Sequence, residues 1–502
     1  MRFFALFRVV PRHAPLLYLT LLVFGLSPHF AIADQDTELR LQQGIERTAR
    51  QREQELLREE RARDEALPNL IINGQEHEVR RNRDDLGRAL YVALRSRNWT
   101  AAARFLDVYR ELENPDPILL HYAEGKLARL RGDLSRAEQE FRSLLALNDA
   151  FLPGQLELAR VLFENQKNRE AETRFRDILA RVETVPDQDK TAGVRSTLEN
   201  FLEALKERRG WQGRIAAGPG YSDNINQSSE NETCLIWFAE GLCYVRRTAP
   251  EAIGTETLSY EMSLEKDVFL PGHHGLFFRA LAYGDRYRDH SIYNQDTLNA
   301  SAGYRFRDVN DVYGLAPLFE HARYGNEGLY DAWGGRAEWM HYLSPRTAFK
   351  FEGSHKRMRY REVYSRFDGD MSSLYATAWH RLGADWTLFG GLDGVDRNTE
   401  ESVSSYRQYG VRLGLAKPLM RGVEMTLLAS LRDKRYDAYS ALLGERREDR
   451  EQRYIGIFSF PRWSFAGIVP GINLEYTRVK SNVDWLYSFD EKVIGFKLER
   501  RF

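Results

Sequence analysis

The segment TLSYEMSLEKD, residues Thr257–Asp267, alternates polar and apolar side chains over its first nine positions. The segment GVEMTLLASLRDK, residues Gly422–Lys434, repeats the alternation, with Leu428 as its exception. Because successive side chains of a strand point to opposite faces of a sheet, each segment has one apolar and one polar face. Two-faced strands of about ten residues are typical of a membrane barrel with a wet interior.

Fourteen segments with this kind of pattern follow one another between Trp211 and Phe502. Short connections alternate with longer polar ones, and only 324–328 breaks the alternation. Such alternation is typical of outer-membrane proteins, so we predict a 14-stranded antiparallel transmembrane β-barrel over 211–502. A soluble β-sandwich would also alternate, but it rarely contains so many long strands. The segments are 211–218, 256–267, 274–286, 295–305, 312–323, 329–341, 346–357, 371–382, 386–396, 405–416, 422–434, 450–460, 468–480 and 491–501.

The final segment carries an apolar row on one face, formed by Ile494, Phe496, Leu498 and Phe502. This row resembles the C-terminal assembly signal of outer-membrane barrels, although Arg500 stands where an apolar residue is expected.

The composition narrows the class of protein. A chain of 502 residues is long enough for two or more domains. Its formal net charge of −1 argues against a nucleic-acid partner, because binding to phosphates requires a strong basic excess. The negative mean hydropathy excludes a multi-helix membrane protein, whereas a barrel escapes such an average because half of each strand is polar.

Residues 1–33 have the features of a secretory signal peptide. Three arginines in the first twelve residues precede the apolar run Leu16–Leu26, which is too short to span a bilayer comfortably. Small residues for cleavage follow at Ala31–Ala33. The chain is therefore expected to leave the cytoplasm, with an uncleaved N-terminal anchor as the alternative.

A charged lead-in with a small hairpin is predicted for 34–82. Residues 34–66 are rich in Arg, Glu and Gln, which indicates an exposed helix or a disordered segment. The pair Asn73-Gly74 within 70–76 is typical of a tight hairpin turn.

Helical periodicity covers 83–210 and contains an internal repeat of 34 residues. Small and aromatic residues recur where the two helices of a tetratricopeptide repeat pack together. Three copies suffice to bury a continuous core, so we predict a periplasmic all-α repeat domain, with an unrelated helical bundle as the alternative. Its groove would bind a peptide or protein, or the domain would act as a spacer. The predicted packing residues are Ala102, Gly125, Ala137, Phe141, Ala159, Ala171 and Phe175.

The two cysteines, Cys234 and Cys243, both lie in the first long connection, 219–255. In an exported chain this spacing favours a disulfide, and no zinc-binding partners stand beside them. Two free thiols are the alternative.

Sequence motifs of catalysis are missing. No P-loop, nucleophile elbow, dinucleotide fingerprint or paired zinc cysteines occur. His77-Glu78 lacks the second histidine of a zinc protease, and Asp368 and Asp370 are too few ligands for a calcium loop. We therefore expect no catalytic residues, no metal, no cofactor and no enzymatic activity.

Three local motifs point to one protein family. They are QLELARVLFE at Gln155–Glu164, the pair Ala171 and Phe175, and GYSDNINQ at Gly220–Gln227, where the predicted barrel begins. Together with the order of the domains, they resemble the surface lipoprotein assembly modulator family of Gram-negative bacteria over about 70–502.

The resemblance implies a translocator in the outer membrane, with its repeat domain in the periplasm. Members deliver specific lipoproteins or related soluble proteins, often for iron or haem acquisition, to the cell surface. The implied partners are the client protein, outer-membrane lipid and the machinery that assembles barrels.

Two other functions remain open from the sequence. Export of a polysaccharide is the main alternative, although mixed arginine and glutamate on the polar faces do not favour a charged polymer. A structural or adhesive outer-membrane protein is the other. For a translocator of lipid-anchored clients we also expect a lateral gate between the first and last strands, because a lipid anchor does not easily cross a polar lumen.

Overall fold

The computed structural model describes residues 36–41, 79–184, 188–237, 243–383, 386–420 and 422–502. The predicted signal peptide and the predicted hairpin at 70–76 lie outside these residues. Within the predicted lead-in, residues 36–41 are helical and belong to a separate unit that ends at Gly44.

Between residues 79 and 209, seven helices of the described chain precede the sheet. Asn82, Asn98, Asp116 and Asp133 each accept a backbone N–H at the start of one of the first four helices, as good N-caps do. The third helix ends at Gly132, whose φ of 82° favours glycine. The helices are α1 Arg83–Arg95, α2 Trp99–Arg110, α3 Pro117–Arg131, α4 Leu134–Leu147, α5 Leu152–Glu164, α6 Asn168–Glu183 and α7 Gln188–Arg209.

Two apolar clusters hold these helices together. Leu90 and Tyr109 belong to a cluster that joins α1, α2 and α3. The second cluster runs from α3 to α7, and within it the rings of Phe175 and Phe201 stack with centroids 4.8 Å apart. Each helix pair therefore buries its apolar face against the next pair, as stacked repeats require. No helix of the described chain is long and apolar enough to cross a membrane.

Fourteen antiparallel strands close into a barrel in which the last strand pairs with the first. This confirms the predicted fold class, a helical repeat domain followed by a 14-stranded barrel. The barrel strands are β1 Trp211–Ser222, β4 Thr255–Phe269, β5 His274–Tyr287, β6 Gln295–Arg307, β7 Asp311–Tyr324, β8 Glu327–Ser344, β9 Thr347–Tyr360, β10 Gly369–Leu382, β11 Trp386–Thr399, β12 Tyr406–Met420, β13 Val423–Ser440, β14 Glu445–Ser459, β15 Ile468–Ser481 and β16 Phe489–Arg501. The short helix α8, Asp484–Tyr487, lies between the last two.

The first long connection contains structure that the polar composition did not predict. Strands β2 Glu232–Trp237 and β3 Cys243–Thr248 form a separate two-stranded sheet within it. The strands of the barrel also extend beyond the predicted segments, so that β1 reaches Ser222 and includes Pro219. The ladder continues past the apolar band because backbone pairing does not require apolar side chains.

The connection 324–328, which breaks the alternation of lengths, is a tight turn at Gly325 and Asn326. Their φ angles are 59° and 67°, and two successive positive values are typical of a two-residue hairpin turn. This two-residue turn explains why one connection is short on the side where the other connections are long.

The polarity of the barrel is the reverse of that of the helical domain. Asp393 and Arg432 are 5% and 2% exposed, whereas Leu374 and Leu413 are 69% and 70% exposed. Polar side chains thus face the interior and apolar side chains face outward, as a barrel in lipid requires.

Candidate functional site

The predicted packing residues of the repeats lie where helices meet. A β-carbon added at Gly125 would lie 2.8 Å from Cζ of Phe141, so the absence of a side chain lets this ring lie against α3. The alanines and phenylalanines of the set are at most 1% exposed. The set is distributed as Ala102 on α2, Gly125 on α3, Ala137 and Phe141 on α4, Ala159 on α5, and Ala171 and Phe175 on α6.

A buried carboxylate joins the first helices of two successive pairs. Glu157 of α5 accepts hydrogen bonds from Lys126 at 3.0 Å and from Arg129 at 3.1 Å, both on α3. Arg160 reaches the same carboxylate at 3.0 Å, and Arg129 also bonds Glu164 at 2.5 Å. The contact is a charged bridge between the two helices.

The charges around Glu157 control its ionisation. Burial alone would raise the pKa of this carboxyl, but Lys126, Arg129 and Arg160 outweigh burial and hold the pKa well below its usual value. Glu157 therefore remains ionised at neutral pH and keeps the three cations occupied.

The repeat domain is attached to the barrel at two places. Helix α7 passes through Gly210 directly into Trp211, the first residue of β1. In addition, the backbone N–H of Gly272, in the turn between β4 and β5, donates to Oε1 of Glu170 at 2.7 Å. The repeat domain therefore holds the barrel at its first strand and at the turn between β4 and β5.

A network of ion pairs lies on one side of the lumen. Arg279 contacts Glu265 at 2.9 Å and Glu338 at 3.1 Å, and Arg305 contacts Glu265 at 2.6 Å. These residues come from β4, β5, β6 and β8, so the network crosses several strands. It braces this part of the wall.

A second network lies on β11 to β14. Asp393 accepts hydrogen bonds from Arg412 at 2.6 Å and from Arg432 at 3.3 Å, and Arg432 also reaches Glu451 at 3.2 Å. Both networks pair opposite charges, so the polar faces of these strands do not present a single sign of charge.

The ladder between β1 and β16 is interrupted. Seven residue pairs join these strands, whereas twelve join β1 to β4 on the other side. The interruption falls at Gly218 and Pro219, opposite Phe496 and Lys497. Proline has no N–H for a ladder, and a β-carbon at Gly218 would lie 1.9 Å from the carbonyl oxygen of Phe496. We call this junction the seam.

Hydrogen bonds close the seam at its periplasmic end. Gly213 and Phe502 exchange two backbone hydrogen bonds, at 2.9 and 3.1 Å. On the lumen side Arg214 contacts Glu499 at 2.8 Å and Glu261 at 2.7 Å. Lys497 of β16 also bonds Glu261, so a carboxylate of β4 reaches across β1.

The extracellular end of the seam is closed by polar side chains. Asn224 donates to the carbonyl oxygen of Asp490 at 2.9 Å and accepts from the backbone N–H of Ser228 at 2.8 Å. Ser222 donates to Glu491 at 2.7 Å. The seam is therefore held at both ends, and its ladder is interrupted only at Gly218 and Pro219.

The motif GYSDNINQ supplies this closure. Besides Asn224, it contains Asn226, which donates to the carbonyl oxygen of Glu251 at 2.9 Å and accepts from Ile253 at 2.8 Å. In the sequence this motif carried only a family resemblance, and its contact with the last strand was not predicted. The run Gly218-Pro219-Gly220 was the available signal, because both residue types weaken a strand.

The remaining predicted residues occupy defined positions. Cys234 and Cys243 are joined by a disulfide that links β2 to β3. Ile494, Phe496, Leu498 and Phe502 are 44–54% exposed on the outward face of the last strand and just beyond it. In the described ranges, no three His, Cys, Asp or Glu residues are arranged to hold a metal ion.

Known proteins resemble this chain along most of its length. A family described as "Surface lipoprotein assembly modifier" matches residues 211–502, and its "N-terminal TPR repeats" match residues 72–175. The chain is 43% identical to the hemophilin secretion modulator of Acinetobacter baumannii, over 95% of this chain and 98% of that protein. It is 25% identical to surface lipoprotein assembly modifier 2 of Haemophilus influenzae, over 83% and 84% of the two chains. Identity to surface lipoprotein assembly modifier 2 of Neisseria meningitidis is 26%, over 80% and 83%.

Proposed function

The chain belongs to the surface lipoprotein assembly modifier family, and we propose that it delivers specific client proteins across the outer membrane to the cell surface. The clients are lipoproteins or related soluble proteins, and those that acquire haem or iron are the first class to test. The observation that carries this proposal is the direct passage of α7 into β1 at Trp211. A client held by the repeat domain would stand beside the seam.

The seam is the proposed exit route for a client with a lipid anchor. Its ladder is interrupted at Gly218 and Pro219, while the lumen behind it is lined by buried ion pairs. An anchor that left through the seam would pass into lipid without crossing those charges. A soluble client has no such need and would use the lumen after the networks had separated.

Further partners are the machinery that assembles outer-membrane barrels and the lipid around the barrel. The outward row of Ile494, Phe496, Leu498 and Phe502 supports the first, because this row is the proposed assembly signal. We propose no catalytic residue, metal, cofactor or enzymatic activity for this chain.

Deletion of the gene tests the proposal. A client should disappear from the surface and accumulate in the periplasm, as measured by its accessibility to protease on intact cells. Expression of the full chain should restore surface display. Unchanged display of every candidate client would remove the proposal.

Polysaccharide export is the second candidate, because other exporters also join such repeats to a barrel. Loss of surface polysaccharide on deletion, with surface proteins intact, would decide for it. A structural or adhesive role would survive removal of residues 34–210, provided that the barrel still assembles in its heat-modifiable form. The paired charges at Asp393 and Glu338 do not favour guidance of a charged polymer.

A further inference from the structure

The outward face of β12 to β15 carries a groove in its apolar band. The groove has a volume of about 580 Å³ and is open to the surroundings of the barrel. Small residues on adjacent strands create it, since Ala429 and Gly456 lie between larger neighbours. Its outward lining includes Leu413, Leu427, Ala429, Tyr454, Gly456 and Leu474.

An aromatic pair marks the upper limit of this groove. Tyr454 of β14 and Tyr476 of β15 stack with ring centroids 6.2 Å apart. Aromatic residues on the outward face of a barrel lie at the boundary between hydrocarbon and headgroups. The residues that follow toward the extracellular end should therefore meet lipid headgroups.

Arginine and lysine side chains lie at this headgroup level on β12 to β15. Arg407 pairs directly with Arg435 across β12 and β13, and Arg450 pairs with Lys480 across β14 and β15. All four are exposed. Like charges placed directly opposite each other destabilise a sheet, so this arrangement needs a compensating anion.

Protein carboxylates compensate only part of this charge. Arg450 contacts Asp433 at 2.9 Å, and Arg407 contacts Asp396 at 3.4 Å. Arg435 and Lys480 have no ion-pair partner among the residues that the structure describes. Glu448 is the ladder partner of Arg435 across β13 and β14 but makes no ion pair with it in the described structure, so both cations are accessible to an external anion.

The cations and the groove have the spacing of one amphipathic ligand. Four residues separate Tyr454 from Arg450 along β14, which corresponds to about 13 Å of strand. We propose that β12 to β15 bind an acylated, phosphorylated glycolipid of the outer leaflet, with an acyl chain in the groove and a phosphate between Arg435 and Lys480. The proposal does not depend on which client the barrel transports.

Binding of lipid A to the purified full-length protein in detergent tests the proposal. The double variant Arg435→Gln/Lys480→Gln should bind bisphosphorylated lipid A about tenfold to thirtyfold more weakly than the parent. The parent should bind dephosphorylated lipid A more weakly than bisphosphorylated lipid A, by the same factor. The matched control is Arg357→Gln/Arg359→Gln, which removes two exposed cations from β9 and should leave binding unchanged.

A second variant tests the groove itself. A β-carbon at Gly456 would lie 3.5 Å from its nearest neighbours, which is ordinary contact, so Gly456→Leu should fold and fill the groove. Its binding of lipid A should fall about tenfold at unchanged thermal stability. Equal binding by parent and variants, or equal binding of dephosphorylated lipid A, would overturn the proposal. Tighter binding of a triacylated lipopeptide would also overturn it, because the occupant would then be an uncharged lipid anchor.

Discussion

The wall between β7 and β8 and the seam between β1 and β16 are both antiparallel ladders. The wall has more residue pairs than the seam. Fourteen residue pairs join β7 to β8, whereas seven join β1 to β16. Buried ion pairs on β4 to β8 brace that side of the barrel, while the seam is held by contacts at its two ends and by the ion pairs of Arg214 and Lys497 with Glu261. The seam has the fewest residue pairs of all the barrel ladders, fewer than the β6–β7 ladder, which is also interrupted, so opening of the barrel should begin at the seam.

The largest effect is expected from locking the seam. Ala217 and Leu498 are partners across it, so Ala217→Cys/Leu498→Cys would form a covalent link. We expect surface delivery of a lipid-anchored client to fall to the level of a strain without the protein, and to recover on reduction. Protease accessibility of the client on intact cells measures this.

The matched control for this cross-link retains the substitution Ala217→Cys. Ala217→Cys/Tyr260→Cys ties β1 to β4, its other neighbour, and should leave delivery intact. The parent chain treated with reductant controls for the native bridge between Cys234 and Cys243. Full delivery through an oxidised seam would refute the lateral route.

The next largest effect concerns the stability of the wall. Asp393→Asn leaves Arg412 and Arg432 buried with less compensation, and breaking such a pair costs about 3–5 kcal/mol. Glu499→Gln at the seam should cost about 1 kcal/mol or less, because its partner Arg214 keeps Glu261 and water reaches both side chains. Denaturant midpoints of the heat-modifiable barrel measure the two losses. Equal losses would mean that wall and seam are braced alike.

A smaller effect is expected at the extracellular end of the seam. Asn224→Ala removes the side-chain bonds to Asp490 and Ser228, which should increase local opening about tenfold. Hydrogen exchange of the backbone amide of Lys492, which donates to Asp223, measures this opening. Asn226→Ala is the control, since Asn226 bonds only the loop at Glu251 and Ile253 rather than β16. Equal exchange in both variants would place the closure elsewhere.

The smallest effect concerns a buried charge cluster outside the membrane, around Glu157. Because its pKa is lowered in the folded state, the associated stability is present above the ordinary value of 4.5 and is lost as the pH falls through the folded pKa. We expect the helical domain to melt a few degrees lower at pH 3 than at pH 6. Far-ultraviolet circular dichroism measures this, and Glu157→Gln should show a weaker dependence. An unchanged dependence in that variant would assign it to other carboxylates.

Much of the architecture was predictable from the sequence. Leu258, Tyr260, Met262 and Leu264 alternate with polar neighbours, and that period alone places two faces on a strand. The 34-residue spacing of Ala137 and Ala171 likewise indicated stacked helix pairs. Both signals are local, so they do not depend on how distant segments meet.

A gate between the first and last strands was expected for a translocator of lipid-anchored clients, but the position at which its ladder is interrupted was not. The first predicted segment ends at Gly218, directly before Pro219. In the structure Pro219 pairs with Leu258 of β4 and has no partner on β16. A proline is tolerated there because the strand is an incomplete edge on that side.

The barrel, the repeats and the outward apolar row follow from local sequence patterns, because periodicity records which face of an element meets water, lipid or protein. The residues that interrupt and close the seam, in contrast, are evident only from contacts between distant parts of the chain. Asn224 and Asp490 are 266 residues apart in the chain, and no local pattern relates them. Their contact exists because closure of the barrel brings its first and last strands together.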